Sequence, residues 1–372
     1  MGFLDFSSGT KNLVLDTSSS NVKLAVGEYN AKTKIVTVEK VGIVPLEADT
    51  ISDGALSDSF NIIMALKHAF AKLDIKNKNC IVTTDGSFVH TRDLELPKVK
   101  AEQLADMVRY EVMGQGTNKD MNIEYVVTGT AKDPETNADK LKIRAIAVPT
   151  DTISEYRDFI KNLDLTGVAM DCNSNAVRKL FSSGIINGNI NVNQSTLLLI
   201  ELSGTVTTIT ILDKGFPVLS RRLQFGHSNV RQVAESVKKM QGGGDNQSSL
   251  ARRLNITKSD SDLSVAIEEI DVWHESLADT PSLQSAVNAY FKSLVDAVSR
   301  TAQFAISKFH IDSIGTCLLY GSGAEYKKID KELSRQLGTQ VEVLHTMSSV
   351  HGPKDFTLPQ FVNCCGAMIR ND

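Results

Sequence analysis

Long hydrophobic runs are missing from this sequence, and nowhere do the ~20 consecutive apolar residues needed to cross a bilayer occur. The opening MGFLDFSSGTKN lacks a basic segment followed by an apolar stretch, so no secretory signal is expected and the chain should stay in the cytoplasm. Positive charge is not in excess either. The 40 Lys+Arg face 44 Asp+Glu, for a formal net charge of −4, which argues against nucleic acid as the main partner. Cysteine is sparse: Cys80, Cys172, Cys317, Cys364 and Cys365 form no C-x-x-C pair, and the seven histidines form no ligand cluster. A zinc site is therefore not expected, and the thiols read as small buried hydrophobes in a reducing compartment. The run GGGD at 242–245 lacks the Lys-Ser/Thr that a phosphate loop needs.

What is present is ordinary globular material. Hydrophobic residues make up 41% and charged residues 23%, and 372 residues suggest two to three domains. Residues 12–17 and 21–29 read as strands around a Ser18-Ser19-Ser20 turn, with a third strand over 34–44. Leu56, Phe60, Ile63, Leu66, Phe70 and Leu73 recur at helical spacing, which predicts a helix over 53–73 with that face on the sheet. Residues 85–149 read as a strand, a helix and two strands joined by the turn-forming link KDPETNAD, a small α/β subdomain inserted into a first lobe formed by 1–84 and 150–190. A Gly/Asn-rich stretch at 183–195 reads as the linker to a second lobe at 191–372. That lobe contains a polar loop at 241–262, a long helix over 282–309, a strand and Gly-Ser-Gly turn at 316–323, and a last helix near 360–370. Trp273 beside the polar loop is either a packing anchor or a partner contact.

The most informative feature is a repeat at long period. LVLDTSSSNVKLAV (13–26) aligns with LLIELSGTVTTITI (198–211), each an apolar strand ending in an acid, a small polar turn and an alternating strand. Backbone N–H groups gathered in such a turn favour anions, and small residues let a phosphate approach the main chain. Two copies facing each other would grip a polyphosphate from both sides, with Asp16 and Glu201 holding Mg²⁺ through water. The candidate phosphate-binding residues are Asp16, Ser18, Ser19, Ser20, Lys23, Glu201, Ser203, Gly204, Thr205 and Gly226. Gly321, Ser322 and Gly323 form a turn at a helix start that would let an adenosine approach. Each reading has a plainer counterpart: Asp16 as a turn or capping residue, the serines as a polar turn, Lys23 on a solvated strand face and Arg300 on an exposed helix face.

The order of these segments resembles the actin-like ATPase superfamily, and within it the PilM family of type IV pilus assembly proteins. The likeness is carried by LVLDTSSSNVKLAV, by LELPKVKAEQLADMVRYEV with IEYVV, by VPTDTISEYRDFIKNLDLTGVAMD, by SRRLQFGHSNV, by LLYGSGAEYKKI and by FVNCCGAMIR. It implies duplicated ribonuclease-H-like lobes of α/β class, ATP and Mg²⁺ in the interlobe cleft, and capture of the cytoplasmic N-terminal tail of a PilN-like bitopic membrane protein, alongside other pilus platform or motor proteins. The tail is expected near the inserted subdomain and the first lobe. The chain departs from the family pattern at Ser18, Glu201, Ser203 and Ser322, and no clear Glu-x-x-Lys occurs around 245–255, where Arg252 and Arg253 are the nearest basic residues. These departures imply weak or absent hydrolysis. Two other readings share the fold: a small-molecule kinase with Asp85 or Asp171 as base, and a cell-division protein like FtsA, which the ending AMIRND does not favour because it leaves no amphipathic membrane helix.

Overall fold

The computed structural model describes residues 10–19, 21–47, 49–114, 120–133, 135–240, 280–326, 328–354 and 356–370. The polar loop expected at 241–262, Trp273 and Ser20 lie outside them.

Two mixed sheets form the body. The first contains β1 (Asn12–Asp16), β2 (Asn21–Asn30) and β3 (Ile35–Pro45). After a short hairpin of β4 (Ile51–Ser52) and β5 (Ala55–Leu56) comes helix α1 (Ser59–Lys72), started by the Asp58 carboxylate accepting the Asn61 N–H. β6 (Asn79–Thr84) then returns to the sheet. The inserted unit consists of β7 (His90–Pro97), α2 (Ala101–Met113), β8 (Met121–Lys132) and β9 (Asp139–Pro149). Helix α3 (Thr150–Asn162), β10 (Thr166–Cys172) and α4 (Asn173–Leu180) lead back to the body. Next come a hairpin of β11 (Ile185–Ile186) and β12 (Ile190–Asn191), and then β13 (Thr196–Leu202), β14 (Thr207–Asp213) and β15 (Phe216–Leu223). The remaining elements are α5 (Ser228–Met240), α6 (Pro281–Phe309), β16 (Thr316–Tyr320), α7 (Ile329–Leu337), β17 (Val341–Val343), β18 (Val350–His351) and α8 (Leu358–Met368).

The first sheet runs β10-β6-β1-β2-β3-β18 and the second β17-β16-β13-β14-β15. Each has an antiparallel meander of three strands and two strands parallel to the first of them. The ladders repeat in register too. Leu13 pairs with Val26 and Asp16 with Lys23; Leu198 pairs with Ile211 and Glu201 with Thr208, one constant offset along the chain. The duplication expected from LVLDTSSSNVKLAV and LLIELSGTVTTITI is thus a duplication of strand pairing.

Apolar faces build the layers. Ile62, Leu66 and Ala69 of α1 join Tyr156, Phe159 and Ile160 of α3 on the outer face of the first sheet. Each fully buried aliphatic side chain of this kind contributes about 1.5–3 kcal/mol. The stripe on α1 differs from the expected one: Phe60 is 69% exposed, and Ile62 takes the core position. Both patterns have helical period, and only packing selects between them. Helices α5, α6 and α7 cover the outer face of the second sheet through Val230, Leu283, Val287, Leu294 and Leu333. In the inserted unit, Leu104, Val108 and Val112 of α2 close on Ile143, Ala145 and Ala147 of a three-stranded sheet ordered β7-β9-β8.

A single apolar cluster joins the inner faces of the two sheets, with α4 and α8 between them. Every residue of α8 is buried, which requires a helix apolar on all sides; LPQFVNCCGAM satisfies this except at Gln360 and Asn363. Both α8 and β18 pack on the first sheet, although they follow the second in sequence. The stretch expected as a linker at 183–195 is instead a packed hairpin. Ile186 and Val192 are fully buried, because its apolar residues alternate with the Gly and Asn that shape the turn. The last turn of α4 is tied to the end of β10 and to the end of α8 by a buried Asp171–Lys179 pair (2.6 Å), whose ammonium also donates to the Ile369 carbonyl (2.6 Å).

Helices α4 and α8 approach closely at Gly366, where an added Cβ would stand 2.1 Å from the Ala176 carbonyl oxygen. Gly366→Ala should therefore force the helices apart and lower stability by about 1–3 kcal/mol or more in urea unfolding. An unchanged midpoint would contradict the packing described.

Candidate functional site

The first turn leaves β1 at Asp16. The Asp16 Oδ1 atom accepts the Ser18 N–H (3.0 Å) and the Ser18 hydroxyl (2.5 Å), a local turn that short side chains at these positions favour. The Thr17 N–H donates to the Thr83 carbonyl (3.0 Å), while its hydroxyl meets the Tyr156 hydroxyl (2.9 Å), which donates to the Gly54 carbonyl (2.6 Å). The Ser19 hydroxyl donates to the Asn21 carbonyl (2.9 Å). Lys23, opposite Asp16 in the ladder, is 4% exposed; it faces the interior rather than solvent.

The second turn leaves β13 at Glu201. The Ser203 N–H donates to the Val206 carbonyl (3.0 Å), and the turn's own carbonyls are taken up by the start of α5: His227 N–H to Ser203 (3.3 Å) and Ser228 N–H to Gly204 (2.8 Å). Thr205 is exposed; Ser203 and Gly204 are buried. Gly226 is required by this contact, since a Cβ there would lie 2.2 Å from the Gly204 oxygen. Gly321 has φ +87° and Gly323 rests against Leu202, so the third turn packs on the second. The Ser322 hydroxyl and His227 Nε2 are 2.9 Å apart, and the Tyr326 hydroxyl lies 2.7 Å from His227 Nδ1. Burial, with Arg231 and Lys23 nearby, pushes the His227 imidazole down to about 3, so it is neutral. Gly204, Gly226, Gly321, Ser322 and Gly323 therefore form one knot around His227.

The two acids confront each other across the lobes through a residue that the sequence reading did not single out. The Asn363 Nδ2 atom of α8 donates to Asp16 Oδ2 (3.1 Å) and to Glu201 Oε1 (2.8 Å). All three side chains are buried, at 1%, 5% and 3% exposure for Asp16, Glu201 and Asn363. Burial pushes the Glu201 carboxyl up to about 7; Lys23 opposes the shift and the neighbouring Asp16 reinforces it. Tyr320, beside Glu201 in the ladder, is buried and its phenol is held well above the usual range. The only signal for Asn363 is negative: a carboxamide inside an otherwise apolar helix. Gln360, three residues earlier, has the same signature, and neither its Nε2 nor its Oε1 has a hydrogen-bond partner.

At the mouth, Arg222 of β15 reaches Asp53 of the first lobe (2.6 Å). Beside this pair Asp85 is pushed up to about 6 by desolvation, against the pull of Arg222. Asp171, the other carboxylate considered as a base, accepts from Cys172 N–H, Asn175 Nδ2 and Lys179 Nζ, with Arg370 at 3.7 Å. It is a structural ion-pair partner.

The titrations of Glu201 and His227 have opposite signs. The unfolded chain protonates His227 below its ordinary 6.5 and the folded chain refuses until about 3, so stability falls by about 1.4 kcal/mol per unit as pH drops through that range. Folded Glu201 keeps its proton up to about 7, where the unfolded residue loses it near 4.5, so its contribution is lost as pH rises between the two. Relative to wild type, Glu201→Gln should gain about 3 kcal/mol from pH 4.5 to pH 7 in urea unfolding. Parallel stability profiles would contradict the environment assigned to Glu201.

The described chain contains no group of three or more His, Cys, Asp or Glu placed to hold a metal among the described residues. Nor is any described helix long and apolar enough to cross a membrane. A family model described as type IV pilus assembly protein PilM matches residues 14–254. Among solved structures the chain is similar to a PilM-PilN type IV pilus biogenesis complex, at TM-score 0.69 and 15% identity over 96% of this chain and 98% of that one. It is also similar to the ethanolamine utilization protein EutJ from Carboxydothermus hydrogenoformans (TM-score 0.47, 13% identity, 97% and 90% covered). A third likeness is to MreB5 of Spiroplasma citri bound to AMPPNP (TM-score 0.45, 14% identity, 97% and 95% covered). The two lobes therefore have the actin-like fold, and the chain belongs to the PilM family of type IV pilus assembly proteins.

Proposed function

We propose that this chain is a cytoplasmic adapter of a type IV pilus inner-membrane platform, recruited to the inner face of the membrane by the N-terminal tail of a PilN-like bitopic protein. The observation that carries this reading is the likeness to the PilM-PilN complex across nearly the whole of both chains, supported by the family match. The kinase reading is not favoured. Asp171 is enclosed by an ammonium and an amide, and Asp85 stands beside Arg222 and Asp53.

The ATP and Mg²⁺ implied by the resemblance meet a closed cleft. Asn363 stands between the two acids, Ser18 occupies the remaining face of Asp16, and the Ser203 N–H of the second turn is taken by the Val206 carbonyl. Mg²⁺ keeps much of its water and would hold such acids through it, which one shared amide nitrogen leaves no room to do. As arranged, these residues do not accommodate a metal–polyphosphate, and the adapter role is proposed to need none.

The tail's proposed seat is a cavity of about 320 Å³ where the inserted unit leaves the first lobe, lined in part by His90, Arg92, Val112, Met121 and Ala147. Its apolar members suit a buried side chain of an extended segment, and Arg92 and His90 suit the segment's carbonyls or an acidic residue. The test is fluorescence anisotropy with labelled peptides copying candidate tails. His90→Glu with Arg92→Glu should weaken binding by about tenfold or more. Undiminished affinity contradicts this seat, and no binding of any candidate tail to the wild type contradicts the adapter reading.

A further inference from the structure

Two acids that descend from one duplicated strand end meet in the interior, where burial and the neighbouring Asp16 favour the protonated form of Glu201 and each side chain needs a hydrogen-bond partner. In a cleft built for metal-bound phosphate, a hydrated divalent cation would meet that need. Here a carboxamide has two N–H bonds on one nitrogen, and each points to a carboxylate from a different lobe. The two acceptor oxygens can then lie no farther apart than the two hydrogen bonds laid end to end. Charge is balanced nearby by Lys23, 4% exposed and close enough to oppose the upward shift of Glu201. The remaining acceptor of Asn363, its Oδ1, has no partner, so the amide is oriented by the acids alone. The helix that presents it is buried on every side and wedged between the sheets, which fixes the nitrogen in place.

We propose that Asn363 is the chain's built-in substitute for the divalent cation: its amide joins Asp16 to Glu201 and holds the lobes closed with neither metal nor nucleotide present. The inference rests on the reading of the interlobe cleft as a former or latent nucleotide cleft, not on the adapter role. It accounts for Glu201, whose longer side chain reaches an amide that a shorter acid would miss. It also accounts for the serines at Ser18 and Ser203, which do not need to make way for a phosphate.

Thermal unfolding of the full chain tests it, with wild type, Asn363→Ala and Asn363→Asp each measured in EDTA, in Mg²⁺ and in Mg-ATP. Wild type should melt at one temperature in all three. Asn363→Ala should melt lower by about 4 °C or more in EDTA. Asn363→Asp places a third carboxylate between the two, so it should be the least stable in EDTA and recover by several degrees in Mg²⁺ alone. If neither variant folds, the response of the wild type to Mg²⁺ and Mg-ATP decides by itself. A wild type stabilised by Mg²⁺ or Mg-ATP, or an Asn363→Asp indifferent to Mg²⁺, overturns the proposal. Tail-peptide binding in EDTA separates the two readings, since a wild type that binds no tail contradicts the adapter role and leaves this result standing.

Discussion

One hydrogen-bonded triad, Asp16–Asn363–Glu201, constrains the rest of the structure. A carboxylate removed from water costs several kcal/mol unless its lone pairs are satisfied, and two of them facing each other cost more. The fold reduces this cost at the seam of its two lobes by favouring the protonated form of Glu201, and offsets the rest with one amide from a third element. For that amide to arrive, α8 must lie between the sheets, which requires a helix without a solvent face and close contact with α4 at Gly366. The chain therefore returns from the second lobe to the first before it ends, with β18 completing the first sheet on the way.

A second layer of closure lies outside the triad. Arg222 spans the lobes to Asp53, and Arg144 of the inserted unit, held by Asp93, reaches the Pro217 carbonyl of β15 (3.4 Å). These contacts are partly exposed, so each contributes little by itself in water. Their value is geometric, because they set the inserted unit and the second lobe in one orientation. The proposed role, presenting a fixed surface to a membrane protein's tail, would need this rigidity more than a cleft that opens.

The duplication was legible in the sequence because strand pairing leaves a period-two signature that survives divergence, and Asp16 and Glu201 mark the same rung in each copy. The inserted unit was legible because its turn chemistry and its apolar stripe on α2 agree. The stripe on α1 was not, since Phe60 and Ile62 both satisfy a helical period and only the neighbouring sheet decides which is buried. The hairpin at 185–191 was not, since Gly and Asn in a linker and in a tight turn look alike until Ile186 is seen in the core. The candidate residues Asp16, Ser18, Glu201 and Gly226 were legible as positions because they sit on strand ends and turns. Asn363 and His227 were missed because their roles depend on partners far along the chain, Asp16 and Glu201 for one and Ser322 and Tyr326 for the other.

The glycines of the third turn illustrate how a family pattern and a local packing demand can coincide. Gly321, Gly323 and Gly226 each stand where a Cβ would strike the second turn, so their presence is explained by packing alone. Motif likeness at these positions identifies the fold, and says nothing by itself about a bound nucleotide.

The proposed coupling of the lobes runs through Asn363 and not through a cation. A double-mutant cycle pairing Asn363→Ala with Glu201→Ala, measured by urea unfolding in EDTA, tests this most directly. A coupling energy of about 1–3 kcal/mol between the two positions is expected. Additive effects, with coupling indistinguishable from zero, would contradict it.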